Sequence, residues 1–152
     1  MKLSLTKQKI RVTKLFTFDM AHALYGYDGP CKNIHGHTYH LEVTLIGYPY
    51  DDSTKEGMVI DFGDLKKIVK REIVEKFDHA LVLNESAPYV TSELLNQEFE
   101  NVIIVPYQPT CENLLLHFLE NIKNLFPKEV QLCKVVLRET PTSFAEWQME
   151  DN

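Results

Sequence analysis

Apolar and polar residues alternate in three long stretches of this chain, and two stretches of helical period separate the second from the third. Along residues 10–20, Ile10, Val12, Phe16, Phe18 and Met20 share one parity, broken at Lys14, while Arg11, Thr13 and Asp19 take the other. Along 37–47, Tyr39, Leu41, Val43 and Leu45 share a face opposed by His40, Glu42 and Thr44. Residues 130–139 repeat the pattern through Cys133, Val135 and Leu137. A two-residue period sends successive side chains to opposite faces of a strand. Each stretch therefore predicts a strand with one buried side, and Phe144 to Trp147 predicts a fourth.

The period changes at Asp61, a fitting N-cap. Leu65, Ile68, Val69 and Ile73 then fall on one helical face, with Lys66, Lys67, Lys70 and Arg71 elsewhere, as far as Phe77. A second helix is predicted from an N-cap at Thr110, with Leu114, Leu115, Phe118, Leu119, Ile122 and Leu125 as its stripe and Pro127 as its stop. Residues 84–108 read as a connection with a short strand at Val102–Val105. The order β-β-α-(loop)-α-β-β is an α+β pattern.

The chain of 152 residues suits one domain, taken as 1–152. A net charge of −6 argues against a phosphate-backbone partner, which needs a basic face. No apolar stretch is long enough for a membrane span. Met1 to Lys14 has no apolar core, so no secretory signal is expected, and a cytoplasmic location is the default. Three cysteines make no disulfide framework.

Four of the six histidines, His22, His35, His37 and His40, lie close together in sequence. Residues i and i+2 of a strand share a face, so His35 and His37 can converge on one ion, while His40 has the wrong parity. Gly36 between them permits a close backbone approach. His22 ends the preceding strand, the natural antiparallel neighbour, and can supply a third ligand. Three histidines with an open fourth position are a catalytic zinc set, although imidazole also suits iron, nickel and copper.

Cys31 lies in the polar turn Gly29-Pro30-Cys31-Lys32-Asn33, unlike Cys133, which sits in an apolar pattern. A thiol beside a metal and Lys32 is a candidate base or nucleophile. Cys111 opens a helix and reads as structural. An Asp beside a His fixes its tautomer and raises its basicity, and Asp78-His79 can do so only if the chain turns there. Glu139 ends an apolar strand face and is a candidate ligand anchor.

Phe16-Thr17-Phe18-Asp19-Met20-Ala21-His22, Cys31-x3-His35-Gly36-His37, Gly57-Met58-Val59-Ile60-Asp61-Phe62, Asp78-His79, Pro109-Thr110-x-Glu112-Asn113-Leu114 and Arg138-Glu139-Thr140 occur in that order. Together they resemble the 6-pyruvoyltetrahydropterin synthase superfamily and, within it, the bacterial 6-carboxytetrahydropterin synthases. The resemblance runs from about residue 14 to residue 147. In the animal pyruvoyl enzymes the catalytic cysteine stands further from the HGH element. A folate-linked group has glutamate where this chain has Cys31. The long segment 84–108 departs from the shorter bacterial members and bears on the pocket rim.

The resemblance implies a tunnelling fold: a four-stranded antiparallel sheet with two helices on one face. Subunits assemble into a β-barrel, as a homohexamer or a related assembly, with active sites between them. It implies Zn²⁺ on His22, His35 and His37, proton transfer by Cys31 with Asp78 and His79, and Glu139 as the pterin anchor. The implied reaction converts 7,8-dihydroneopterin triphosphate to 6-carboxy-5,6,7,8-tetrahydropterin, acetaldehyde and triphosphate, in queuosine-type biosynthesis. Two alternatives stand beside it. One is the pyruvoyl-forming synthase, which eliminates triphosphate alone. The other is a non-catalytic metal-binding assembly protein of the same fold. A zinc hydrolase is disfavoured, because no H-E-x-x-H helix is present.

Overall fold

The protein was analysed as a computed structural model that describes residues 5–152. The first four residues of the Met1–Lys14 stretch lie outside it. In chain order the elements are β1 (Ile10–His22), β2 (His35–Gly47), α1 (Phe62–Val69), a π-helical segment (Lys70–Val74), α2 (Glu75–Phe77), β3 (Leu81–Asn84), α3 (Glu93–Glu98), β4 (Val102–Val105), α4 (Cys111–Ile122), β5 (Val130–Thr140) and β6 (Ser143–Gln148). They form one sheet in the order β4-β3-β1-β2-β5-β6.

The four expected strands, β1, β2, β5 and β6, are adjacent and antiparallel. The sheet is nevertheless six-stranded and mixed, because β3 runs parallel to the end of β1 and β4 runs parallel to β3. β4 is the short strand expected at Val102–Val105, whereas β3 is new, and at four residues it is too short to show a period. Their pairing partners are also distant in sequence.

The expected inward residues form the core. Phe16, Phe18, Met20, Tyr39, Leu41, Val43 and Leu45 pack with Leu65, Val69, Ile73 and Phe77 of the first helical run and Leu114, Phe118 and Ile122 of α4. Asp61 caps α1 by accepting from the Gly63 N–H at 2.7 Å, and Thr110 caps α4 by accepting from Asn113 N–H at 3.2 Å. Each cap satisfies an otherwise orphan N–H. α4 stops at Ile122, so Leu125 lies outside the stripe and is 42% exposed. The approach to Pro127 disfavours helical backbone at Phe126.

Cys133 is buried, but it sits in the register shift where Thr44 and Leu45 face Lys134 and Leu132. Its thiol donates to the Thr44 carbonyl at 3.4 Å. The expected parity through Cys133 is thus broken by a bulge.

Candidate active site

The β1–β2 register sets His22 opposite His35 and Met20 opposite His37. All three imidazoles therefore share the helix-covered face, as parity requires, and His40 points to the other. Their ligand atoms lie within 4.8 Å of one another. A Cβ added at Gly36 would meet the Met20 carbonyl oxygen at 3.4 Å, an ordinary contact, so a close approach does not demand the glycine there.

His22 Nδ1–H donates to the Pro109 carbonyl at 2.7 Å, and His35 Nδ1–H donates to the Asn33 carbonyl at 2.8 Å. A carbonyl can only accept, so each neutral ring presents its Nε2 lone pair inward. Those two nitrogens are 3.0 Å apart. Two facing lone pairs repel unless a proton or a metal ion lies between them. A proton on His22 is disfavoured, because burial holds that ring below the usual histidine range. His37 is also held low, first by burial, against the opposing pull of Glu139. Its Nε2 is buried with no hydrogen-bond partner. The carbonyl contacts orient rings in the way that metal-binding histidines are oriented. These residues fit a divalent ion.

Glu139 reaches the same centre from the end of β5. Its Oε1 lies 3.6 Å from His37 Nε2 and its Oε2 lies 4.0 Å from His22 Nε2. The Tyr39 hydroxyl donates to Oε2 at 3.4 Å. Tyr39 is fully buried, and its hydroxyl is pushed far above the usual phenol range by burial and then by Glu139. It therefore remains a donor. Cys31, in a 3₁₀ turn (Pro30–Lys32), lines a cavity of about 250 Å³ with His22, Cys111, Glu139 and Phe144.

Sequence spacing gave no reason to put Cys111 at this site. The structure places it there, with its thiol donating to the Leu137 carbonyl at 3.2 Å. The helix start does not make it a thiolate, since burial and then Glu139 push it up to about 11. Pro109 and Tyr39 were equally unforeseen, because the His22–Pro109 contact spans 87 positions.

Asp78 and His79 form a pair, but away from this cavity. His79 stands at φ 61°, so the chain turns as required, and its Nδ1 lies 3.1 Å from Asp78 Oδ1. Asp78 also accepts from the Asp19 backbone N–H at 3.0 Å, which is the main reason its carboxyl is held low. His79 borders a second hollow with Asp19, Gly36, His37 and Thr38. Asp19 and Thr38 have the parity opposite to the three clustered histidines.

The segment 84–108 supplies none of the residues that line the Cys31 cavity and meets instead the loop before β2. The Tyr89 ring packs edge-on against Tyr25 at 6.2 Å, and Gln108 Nε2–H donates to the Tyr25 carbonyl at 2.7 Å. Both contacts brace the loop that carries Cys31.

A mixed sheet backed by two main helices, with three imidazoles, a thiol and a carboxylate gathered at one end, defines an α+β enzyme with a metal-competent centre. Comparison with known proteins makes this particular. Residues 11–150 match the family model described as 6-pyruvoyl tetrahydropterin synthase. The chain is 40% identical over 141 residues to the 6-carboxy-5,6,7,8-tetrahydropterin synthase of Haemophilus influenzae, covering 91% of this chain and 98% of that protein. It is 33% identical over 142 residues to the Rickettsia bellii protein of the same name, covering 90% and 99%. The chain belongs to the 6-pyruvoyl tetrahydropterin synthase family. Its fold is shared with the 6-pyruvoyl tetrahydropterin synthase of Caenorhabditis elegans, at a TM-score of 0.67, 23% identity and coverage of 95% and 99%. An uncharacterized protein from Wolinella succinogenes matches with a TM-score of 0.74, 22% identity and coverage of 93% and 99%.

Proposed function

We propose that this protein is a 6-carboxy-5,6,7,8-tetrahydropterin synthase, converting 7,8-dihydroneopterin triphosphate to the carboxypterin, acetaldehyde and triphosphate. The observation that carries the reading is that Glu139 stands beside the His22, His35 and His37 cluster and lines one cavity with His22 and Cys31. The relatives from Haemophilus influenzae and Rickettsia bellii bear that name across nearly the whole chain.

In this reading His22, His35 and His37 hold Zn²⁺, which when bound supplies Lewis-acid polarisation of the substrate's side-chain oxygens. The chain's own residues do the rest. Glu139 receives the pterin's 2-amino group and N3–H as a bidentate, charge-assisted pair. That fixes the ring, so the side chain is delivered toward the histidines and Cys31. Cys31 moves the proton at the substrate carbon, and a histidine oriented by Asp78 takes it onward.

Within one chain His79 lines a second hollow and not the Cys31 cavity, so it does not play this part there. At about 250 Å³ the Cys31 cavity is also below the 300–1,000 Å³ usual for ligand pockets. A second copy of the chain, presenting its Asp78 and His79 across the opening, supplies both the missing wall and the missing base. A homohexamer of the tunnelling-fold kind provides such contacts and covers the sheet's edges. The product feeds 7-deazapurine synthesis of the queuosine type in a cytoplasmic setting. Among the described residues no helix is long and apolar enough to cross a membrane.

The test is product analysis after incubation of the zinc-loaded protein with 7,8-dihydroneopterin triphosphate. Acetaldehyde and a carboxypterin in equal amounts are expected. Triphosphate release with 6-pyruvoyltetrahydropterin and no acetaldehyde would replace this assignment with the pyruvoyl-forming one.

A further inference from the structure

Glu139 is the acidic group closest to the three histidines, and its position has a consequence beyond pterin anchoring. Oε1 stands 3.6 Å from His37 Nε2, and Oε2 stands 4.0 Å from His22 Nε2. Neither distance is a hydrogen bond. A tetrahedral centre with bonds of about 2.0–2.2 Å has donor-to-donor edges of roughly 3.3–3.6 Å. The His22–His35 edge is 3.0 Å. One carboxylate oxygen thus stands at an edge length from His37 Nε2 and the other about 0.4 Å beyond an edge length from His22 Nε2, so a small shift of the side chain brings the carboxylate to the same site.

Two features of the chain aim it there. The β5–β6 register shifts between Arg138, opposite Phe144, and Thr140, opposite Ser143, which leaves Glu139 at the irregularity. Bulges re-aim side chains in this manner. Tyr39, buried beneath the histidines, then holds Oε2 with its hydroxyl at 3.4 Å. Among the described residues His37 Nε2 has no hydrogen-bond partner, although it is buried.

We propose that Glu139 is the fourth ligand of the metal when no pterin is bound, and that an arriving pterin draws it off. This rests on Glu139 being the pterin anchor of the proposed function. One carboxylate serves two partners in turn: the ion first, then the 2-amino and N3–H donors of the ring. The ion's reactive position opens only when a pterin is seated, so water and adventitious anions are kept from it between turnovers. Coordination exchanges, and no proton or electron is transferred.

The experiment compares wild type with Glu139→Gln, each loaded with Co²⁺ or Zn²⁺. Chelator competition should show Zn²⁺ bound at least about tenfold more weakly by Glu139→Gln. The ligand-free Co²⁺ absorption bands should differ between the two proteins. Adding neopterin should move the wild-type bands. Equal Zn²⁺ affinity together with identical ligand-free Co²⁺ bands would overturn the proposal. Glu139→Asp is the second variant. Its carboxylate is withdrawn by one methylene, so it should also weaken Zn²⁺ binding, and wild-type affinity in a folded Glu139→Asp protein would count against fourth-ligand geometry. Wild-type turnover measured in parallel separates the two readings. Carboxypterin formation with metal affinity unaffected by Glu139→Gln sinks the fourth ligand and spares the function. Weakened metal binding in the variant without any wild-type turnover does the reverse.

Discussion

His79 Nδ1 lies 3.1 Å from Asp78 Oδ1 because His79 adopts φ 61°, the one positive φ among the described non-glycine residues. A non-glycine side chain in the left-handed region costs on the order of 1 kcal/mol. The turn is held by the His79 backbone N–H, which donates to the Asp19 carbonyl at 2.6 Å, and by the Asp19 N–H, which donates to Asp78. The His79 ring gains no shelter in return, being 79% exposed. Strain of this kind without compensating burial agrees with the proposed role of His79 at the site of a second copy.

His79→Gly should accordingly keep the fold. Relief of the strained φ is partly offset by glycine's larger unfolded-state freedom, so stability should stay level or rise by up to about 1 kcal/mol. Turnover should fall at least 100-fold, in the range general acid–base groups contribute. Denaturant unfolding and carboxypterin assay check the two halves. A marked loss of stability would show that the ring, after all, serves the fold.

If each site takes Cys31 from one copy and His79 from another, two inactive variants should rescue each other. Cys31→Ala and His79→Ala, unfolded together, refolded and mixed in equal amounts, should regain up to about a quarter of wild-type activity, the share of sites that draw both native residues. Absence of any recovery in a mixture shown to contain hybrid oligomers would place the whole site in one chain.

His37→Ala should remove the metal. A ligand counts for more than the outer-shell partners whose loss weakens binding by about 10–100-fold, so affinity should drop beyond about 100-fold. Because an ion that binds only the folded chain stabilises it by mass action, a chelator should lower the wild-type Tm and leave the His37→Ala Tm unmoved. Metal analysis and calorimetry on both proteins decide it, and full metal retention by the variant removes His37 from the ligand set.

Much of this was legible in the sequence, and for a local reason. Parity along β1 and β2 needs only neighbouring residues, and it put His22, His35 and His37 on one face with His40 on the other. The caps at Asp61 and Thr110 and the stripe through Leu65, Val69 and Ile73 are equally local. What escaped depends on distant pairing. The strand at Leu81–Asn84 holds its place between the end of β1 and the strand at Val102–Val105, which was itself legible as a short strand although its pairing was not. Cys111 reads as the first turn of an ordinary helix until β5 brings Glu139 beside it. The bulge at Cys133 and the irregularity at Glu139 are set by partner strands, so alternation alone could not show them.

The three thiols should separate by reactivity. Cys133 is buried and bonded to Thr44, and Cys111 is pushed up to about 11. At pH 8 only about one part in a thousand of Cys111 is therefore thiolate. Cys31 lies in a polar turn at the cavity wall. Iodoacetamide at pH 8 followed by peptide mass mapping should label Cys31 first, and neopterin should slow that labelling. Faster reaction at Cys111, or no effect of pterin on Cys31, would remove Cys31 from the chemistry.

His117 gives a pH dependence remote from the metal. Its Nδ1 pairs with the Tyr107 hydroxyl, and its ring meets Phe77 edge-on at 5.4 Å. Burial, and after it Lys76, holds it below the usual histidine range. The folded chain therefore keeps His117 neutral where the unfolded chain protonates it. Below the unfolded value of about 6.5 the unfolded state binds more protons, so stability contributed at this position is present above that pH and declines as pH falls toward the folded value. Urea unfolding between pH 7.5 and 5.5 of the chelator-treated protein, wild type against His117→Gln, isolates this residue from the other histidines, which are common to both. The variant should start less stable at pH 7.5, having lost the Tyr107 contact, and should show the shallower decline. Parallel slopes in the two proteins would mean that His117 titrates alike folded and unfolded.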